Sequence, residues 1–278
     1  MRTKYHLALA ISLALSLPAT HVLAQNETKE SLTVPLTEPG KPGSLRVNLV
    51  NGTIHVSGYS GNQVIIEGST KTEDEKDNKK DEQAGGMRRI RPANAGLDIT
   101  ATVENNDVRI SSRYVNKTMN LNIKVPQKFA LKVGTVNNGD VIIENVDGEM
   151  EITNVNGDIR LTNISGSAVA NTVNGTLKAN FKNINAQSPM AFSTLNGSVD
   201  VTLPATAKFD VKLKSDRGEI YSDFDVDVNK TAPQPVRTNK EGMYKVSLED
   251  WVRGKVNGGG SEIMMKNMNG NIYVRKAK

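Results

Sequence analysis

Apolar and polar positions alternate along most of the chain, and the alternation recurs with a period of nine residues. Gly139, Gly148, Gly157, Gly166 and Gly175 follow one another at that spacing. Around each glycine most units read Asn-Val-Asn/Asp/Ser-Gly, followed by five positions whose second and fourth members are apolar. That alternation predicts a half-buried strand, and a glycine after Asn, Asp or Ser predicts a turn. Each unit is therefore expected to form one short strand and one corner.

The constant spacing of the units favours strands that stack in register. We predict an all-β protein, a single-chain, β-helix-like β-solenoid whose coils of about 18 residues each combine two nine-residue units. The alternative is a β-meander or sandwich, because Asn-Gly between alternating segments is also a hairpin signal.

Stacking would place equivalent side chains above one another. We expect one asparagine stack of Asn138, Asn156 and Asn174, and a second of Asn145 and Asn163. Positions 2, 6 and 8 of every unit are expected to point into the core. The inward set is Val146, Met150, Ile152, Val155, Ile159, Leu161, Ile164 and Leu177.

Further copies of the unit occur far from the central block, at residues 49–56, 194–201 and 267–274. The last copy is expected to close the chain. The predicted organisation is a signal peptide at 1–24, an N-terminal extended segment at 25–43 and a β-strand-repeat domain at 44–278. A loop insertion at 71–96, rich in charges of both signs, interrupts the repeat domain.

The N-terminus has the features of a secretory signal. Arg2 and Lys4 precede an apolar stretch from Leu7 to Leu17, and Val22-Leu23-Ala24 supplies a cleavage motif after Ala24. The apolar stretch is shorter than the roughly 20 residues that span a bilayer, and the mature chain contains no longer one. We therefore expect an exported protein that resides in the periplasm, on the outer surface or outside the cell.

Composition narrows the chemistry further. The chain has no cysteine, and only His55 of its three histidines follows the signal segment. Thiolate catalysis, disulfides and cysteine metal sites are excluded. The net charge of +5 is mild and mixed in sign, so a nucleic-acid partner is not indicated.

Several segments resemble a known bacterial family. They are Asn51–Gly58, Val64–Gly68, the central Asn-Gly units, Gly254–Ile263 and Asn269–Val274. They are similar to a putative-adhesin β-strand-repeat family of the DUF4097 type, over roughly residues 44–278. The resemblance implies an exported solenoid-like protein and no catalytic motif.

The chain offers three candidates for a ligand site. The first, a calcium-binding nonapeptide repeat, is not predicted, because it needs Asp two residues after each glycine. This chain has apolar residues there, namely Val141, Met150, Ile159, Ala168 and Leu177. The alternating carboxylates of Asp223–Asp227 suit calcium or a solvent-exposed strand with Phe224, Val226 and Val228 inward. Met87–Pro92 suits a small anion-binding patch or a charge-balanced loop.

None of these patterns amounts to a catalytic constellation. We expect no catalytic, cofactor-binding or metal-binding residue, and no cofactor. The function we expect is that of a non-catalytic structural or interaction protein, adhesin-like, of the bacterial cell envelope or surface, with an unknown protein or glycan partner. The alternative is a β-helix protein that binds or modifies polysaccharide.

Overall fold

The computed structural model describes residues 27–71, 97–113, 117–229, 235–240, 243–248 and 250–278. These residues form β-strands without any helix, which confirms the predicted all-β class. In chain order the strands of the described part are β1 (Glu27–Pro35), β2 (Gly43–Asn51), β3 (Ile54–Tyr59), β4 (Gln63–Lys71), β5 (Ile99–Glu104), β6 (Asp107–Ser112), β7 (Met119–Pro126), β8 (Phe129–Asn137), β9 (Val141–Glu144), β10 (Asp147–Asn154), β11 (Ile159–Asn174), β12 (Leu177–Ile184), β13 (Met190–Asn196), β14 (Val199–Leu203), β15 (Phe209–Ser215), β16 (Ile220–Ser222), β17 (Asp227–Val228), β18 (Pro235–Lys240), β19 (Met243–Leu248), β20 (Val252–Val256), β21 (Glu262–Asn269) and β22 (Ile272–Lys276).

All strands except the β18–β19 hairpin belong to one sheet, which is made of two ladders. The first ladder runs β1-β4-β7-β3-β9-β11-β12-β14-β22-β16. The second ladder runs β5-β6-β2-β8-β10-β11-β13-β21-β15-β20-β17. Strand β11 is long enough to serve both ladders, the first with its N-terminal half and the second with its C-terminal half. Consecutive strands therefore alternate between ladders through most of the chain. We use the word level for a strand of the second ladder together with the strand of the first ladder that follows it.

Neighbouring strands are parallel from β7 to β16 and from β6 to β15, and antiparallel pairs occur towards both ends of the ladders. Parallel pairing of the central units rules out the alternative of an antiparallel meander there. Ile159 pairs with Leu177 and with Val141, each 18 residues away. The distance grows to 22 residues where Leu177 pairs with Val199, because extra residues join β12 to β13.

Two pairs of strands are inserted between levels that other parts of the chain form. Strands β2 and β3 lie between the β6–β7 level and the β8–β9 level. Strands β21 and β22 lie between the β13–β14 level and the β15–β16 level. The last copy of the unit in the chain therefore forms an interior level of the stack.

The core lies between the two ladders and is built from the inward side chains of alternating strand positions. Two edge-to-face phenylalanine pairs, Phe181–Phe192 and Phe209–Phe224, fill its C-terminal half, with ring centroids 6.1 and 5.4 Å apart. Each fully buried aliphatic or aromatic side chain contributes roughly 1.5–3 kcal/mol. All the predicted inward residues are buried except Val155.

Position 2 of the unit is inward at Val146 and Ile164 but outward in the other copies, because the two corners of a level differ. At one corner Asn145 and Asn163 have φ of 58° and 55°. The left-handed residue shifts the alternation by one, so Val146 and Ile164 point inward. At the other corner position 1 is buried instead, and position 2 points outward, as at Val155.

The signal segment at 1–24, almost all of the insertion at 71–96 and the Met87–Pro92 patch lie outside the described residues. Within the segment predicted to be extended, β1 pairs antiparallel with β4. No helix of the described part is long and apolar enough to cross a membrane.

Candidate functional site

One glycine from each level stacks at the corner that leads from the second ladder to the first. This glycine column comprises Gly52, Gly139, Gly157, Gly175, Gly197, Gly270 and Gly218. A Cβ added at Gly157, Gly175 or Gly197 would lie 2.1 Å from the carbonyl oxygen of the preceding glycine in the column. The levels can approach this closely only without a side chain, which explains why the repeat requires glycine.

Behind the glycine column a row of buried Thr and Asn side chains ties each level to the preceding one. Thr135, Thr172 and Thr194 donate hydroxyl hydrogen bonds of 2.8–3.0 Å to the carbonyls of Gly52, Gly157 and Gly175 respectively. Asn154 and Asn267 donate amide hydrogen bonds to Gly139 and Gly197 in the same way. These bonds satisfy corner carbonyls away from water, where an unpaired polar group is costly.

Thr194→Val should lower the free energy of unfolding by about 1–2 kcal/mol. Valine keeps the shape of the buried side chain but cannot donate to the Gly175 carbonyl, 2.9 Å away. Urea denaturation followed by circular dichroism measures the change. Thr202→Val is the control, because Thr202 is half-buried on β14 and has no side-chain hydrogen bond within the described part. Equal midpoints for the two variants would contradict this role of the buried hydroxyl.

On the outside of the same corner, asparagine amides form a continuous ladder. Asn156, Asn174, Asn196 and Asn269 each donate to the side-chain oxygen of the neighbouring asparagine, at 2.9, 2.8, 2.7 and 2.7 Å. The first acceptor is Asn137, whereas the sequence indicated Asn138. Asn138 is an extra residue with φ of 56°, and its amide donates instead to Asn51 of the adjacent level at 3.4 Å. At the opposite corner Asn163 donates to Asn145, as expected.

Next to this amide ladder, position 2 of successive levels forms an outward apolar row, which we call the corner ridge. Cross-strand register aligns its six members. They are Val50, Val136, Val155, Val173, Leu195 and Met268. Five of them are exposed, at 37–43%, and Val155 is half-buried. The corner ridge and the amide ladder together form an uncharged strip along the long side of the stack.

The outward side of the first ladder is polar. Asp140 and Asp158 lie on adjacent levels, and the backbone N–H of Asp158 donates to the carboxylate of Asp140, 2.9 Å away. Arg160 pairs with Asp158 at 2.8 Å and approaches Asp140 at 3.9 Å. The His55 ring lies 3.3 Å from Glu144, as an outward strand residue rather than part of a metal site. The two Asp carboxylates thus serve as hydrogen-bond acceptors between levels.

Two tyrosines lie together on the outward side near the C-terminal end. Tyr221 and Tyr273 stack at 5.3 Å with ring planes 10° apart. Arg275 lies over the Tyr273 ring at 4.9 Å and pairs with Asp200 at 2.8 Å. This hydrogen bond to Asp200 raises the pKa of Arg275 above its usual value. Sequence reasoning did not bring the two tyrosines together, since 52 residues separate them along the chain.

Near the N-terminal end Asp107 is the centre of a small polar network. Its carboxylate accepts hydrogen bonds from Ser44 at 2.6 Å, Arg109 at 3.0 Å and Arg46 at 3.3 Å. The Ser44 hydrogen bond and the two arginines lower the pKa of Asp107 below its ordinary value, although partial burial opposes them. Folding therefore stabilises the ionised Asp107 carboxylate relative to its protonated form.

Asp107→Asn should cost about 1 kcal/mol at neutral pH, because the amide loses the charge-assisted bonds. The stabilisation by the carboxylate is present above the unfolded pKa of about 4. It disappears as the pH falls through the lower folded pKa of Asp107. Chemical denaturation at several pH values should show wild type and variant converging in acid. A gap that persists after Asp107 is protonated would contradict the linkage.

The calcium candidates are distributed differently in the structure. The residues two positions after the central glycines are core residues, as the sequence indicated. They are Val141, Met150, Ile159, Ala168 and Leu177. Asp223, Asp225 and Asp227 do not share one strand, because β16 ends at Ser222 and β17 begins at Asp227. Phe224 is buried as expected, but Val228 is 43% exposed rather than inward. In the part of the chain that the structure describes, no three His, Asp or Glu side chains converge as metal ligands.

Trp251 immediately precedes β20, which lies next to the last strand of the second ladder. Its ring is half-buried under the ammonium of Lys212, 4.7 Å from the ring centroid. The corner ridge, the tyrosine stack and the environment of Trp251 are therefore the features that sequence reasoning missed. Only the corner ridge had a signal in the sequence. Within the chain's own repeats, an apolar residue recurs at position 2, next to a Thr or Asn that the structure shows to be buried.

Similar solved structures include a "putative cell adhesion protein" from Clostridium sporogenes, 14% identical, with a TM-score of 0.45, 90% of this chain and 100% of that chain covered. A "putative adhesin" from Bacteroides fragilis is 8% identical, with a TM-score of 0.30 and 90% and 97% covered. No curated protein matches this chain. The family model described as Toastrack DUF4097 matches residues 15–251. By that match, the chain belongs to the Toastrack DUF4097 family.

Proposed function

We propose that this protein is an exported, non-catalytic, adhesin-like scaffold of the bacterial cell envelope or surface that contacts a partner protein through the corner ridge. The two ladders support a β-solenoid in which one level corresponds to one coil of about 18 residues. Such a body offers long straight sides on which equivalent positions of successive coils line up. A partner can therefore be bound along several coils at once.

The corner ridge is the observation that carries this proposal. Exposed single apolar residues are ordinary on protein surfaces, but a contiguous apolar row marks an interaction site. Half of the exposed large apolar residues of the described part lie on this one row. The side chains are aliphatic and carry no charge, which suits a neutral protein surface better than a sugar ring or an ion.

The neighbouring asparagines complement the apolar row. Their side chains already bond to one another, so the strip is rigid and needs little ordering when a partner docks. Primary amides at the end of the ladder and along its outer edge can still donate or accept at the rim. An apolar row beside an amide row is the arrangement expected of a moderate, specific contact with protein.

The experiment compares Val173→Lys with Val169→Lys. Both valines belong to β11 and are similarly exposed, at 37% and 40%, but only Val173 lies on the corner ridge. We expect labelled wild-type and Val169→Lys proteins to bind isolated cell envelopes alike. Binding by Val173→Lys should fall about tenfold or more, because contact would bury an unpaired ammonium.

Two results would contradict the proposal. Equal binding by both lysine variants would remove the corner ridge from the interaction. Release of products from a glycan panel incubated with the purified mature protein would show that the scaffold is catalytic. Circular dichroism of both variants must match wild type, which the outward position of both side chains predicts.

A further inference from the structure

Four cations are placed opposite one another on the outward side of the second ladder. Lys212 of β15 pairs directly with Arg253 of β20, and Lys214 of β15 pairs directly with Lys266 of β21. These four residues, Lys212, Lys214, Arg253 and Lys266, are called the cation cluster. Lys212 and Lys214 point outward, because Val211 and Leu213, which alternate with them on β15, are buried. Arg253 and Lys266 are exposed.

Like charges directly opposite on neighbouring strands destabilise a sheet. The second ladder has another row of opposed cations, Arg109, Arg46 and Lys132. Each cation of that row reaches a carboxylate, which is Asp107 for the two arginines and Glu151 for Lys132. The cation cluster differs from that row, because only two of its four cations reach a carboxylate of the described residues. Opposed cations that no carboxylate compensates lower the stability of the sheet, so their presence indicates a function.

The cluster is only partly neutralised by nearby carboxylates. Lys214 lies 3.4 Å from Asp216, and Arg253 lies 3.8 Å from Glu262. Lys212 rests on the Trp251 ring. Lys266 is exposed and forms no ion pair with the described residues. Two positive charges thus remain without a carboxylate partner.

We infer that the cation cluster binds an anionic polysaccharide. The backbone positions of the cations are about 5 Å apart across strands and about 7 Å apart along β15. A linear polymer with a carboxylate on each sugar can lay successive charges across such a grid. The neutral residues that pair towards it on β13, Ala191 and Ser193, leave space for the sugar rings.

A membrane surface fits these residues less well. Peripheral binding to anionic lipid combines basic residues with apolar side chains that enter the headgroup region. Here Trp251 is covered by Lys212, and the neighbouring Met264 is half-buried in the sheet surface. Val252 beside Arg253 and Val228 on β17 are exposed, but both are short aliphatic side chains rather than the aromatic or long apolar ones that anchor a protein among lipid headgroups. This inference does not depend on the corner ridge, since its residues and its ligand differ.

The test uses the mature full-length protein and the double variant Lys214→Gln with Lys266→Gln. Lys132→Gln is the matched control, because it removes a lysine of the same ladder that is already paired with Glu151. Binding to polygalacturonate and to neutral dextran of equal length is measured at low and at physiological ionic strength. Vesicles with and without anionic lipid form a third arm. Thermal unfolding of each protein is recorded in parallel.

We expect wild type and Lys132→Gln to bind polygalacturonate in a salt-sensitive manner and to ignore dextran. The double variant should bind at least about tenfold more weakly, as it loses two charge-assisted contacts. Its melting temperature should be equal to or above that of wild type, because a like-charge pair is removed. Higher stability together with weaker binding is the signature that a purely structural role would not produce.

Three results would overturn the inference. The first is absence of polygalacturonate binding by wild type. The second is equal weakening of binding in the double variant and in Lys132→Gln, which would indicate nonspecific charge attraction. The third is binding to anionic vesicles at least as strong as to polygalacturonate, which would assign the cluster to a membrane surface.

Discussion

Replacing Gly175 by alanine is expected to destabilise the protein by about 3 kcal/mol or more, one of the largest effects of any single substitution. The added Cβ would lie 2.1 Å from the carbonyl oxygen and 2.5 Å from the carbonyl carbon of Gly157. Both are backbone atoms of the adjacent level, so no side chain can rotate away. Relief requires the two levels to separate, which would also stretch the hydrogen bond from the Gly157 N–H to the Asn174 carbonyl, 2.9 Å long.

Gly258→Ala is the matched control. Gly258 has φ of 93°, and an added Cβ there has no neighbour within 4 Å. That substitution should cost only the left-handed penalty of about 1 kcal/mol. Urea midpoints of the two variants separate close approach from backbone conformation. If Gly175→Ala were no less stable than Gly258→Ala, the glycine column would not explain the repeat.

Removal of residues 258–278 should release the C-terminal part of the stack rather than trim its end. Strand β21 separates β13 from β15, and β22 separates β14 from β16. The deletion removes the buried side chains of Ile263, Met265, Ile272 and Val274. At roughly 1.5–3 kcal/mol each, their loss is comparable with the whole stability of a domain.

Limited proteolysis measures this effect. We expect new cleavage within residues 209–228 and 252–256 in the truncated protein, while the central levels stay protected. Deletion of Lys278 alone, which is exposed beyond β22, should leave the cleavage pattern unchanged. If these two segments stayed protected after the longer deletion, β15 would have to pair directly with β13, and the interior position of the last level would be wrong.

Much of the architecture could be predicted from local chemistry. The nine-residue glycine spacing predicted parallel, in-register strands, since a constant period aligns equivalent residues and a hairpin does not require it. The apolar positions 6 and 8, such as Ile159 and Leu161, were correctly placed in the core because strand alternation is a property of the backbone. The corner asparagines were correctly predicted to stack, apart from the one-residue error at Asn138.

The candidate site was predicted less well, and Val155 shows why. Its unit reads like that of Val146, yet Val146 is buried and Val155 faces outward. The difference depends on whether the preceding asparagine is left-handed, as Asn145 is, or buried and bonded to the preceding level, as Asn154 is. That choice is made by the contact between levels, which local sequence does not encode.

The sequence by itself determined the all-β class, the strand period, the glycine corners and most of the core, because these follow from alternation and from the space available at a single residue. Only the tertiary structure decided the order of the levels. Repeat units are nearly interchangeable as pairing partners, so residues 267–274 would fit at the end of the stack as well as inside it. Their interior place, between β13–β14 and β15–β16, also positions Lys266 opposite Lys214 and Tyr273 against Tyr221. Both clusters therefore exist only because distant parts of the chain share a ladder.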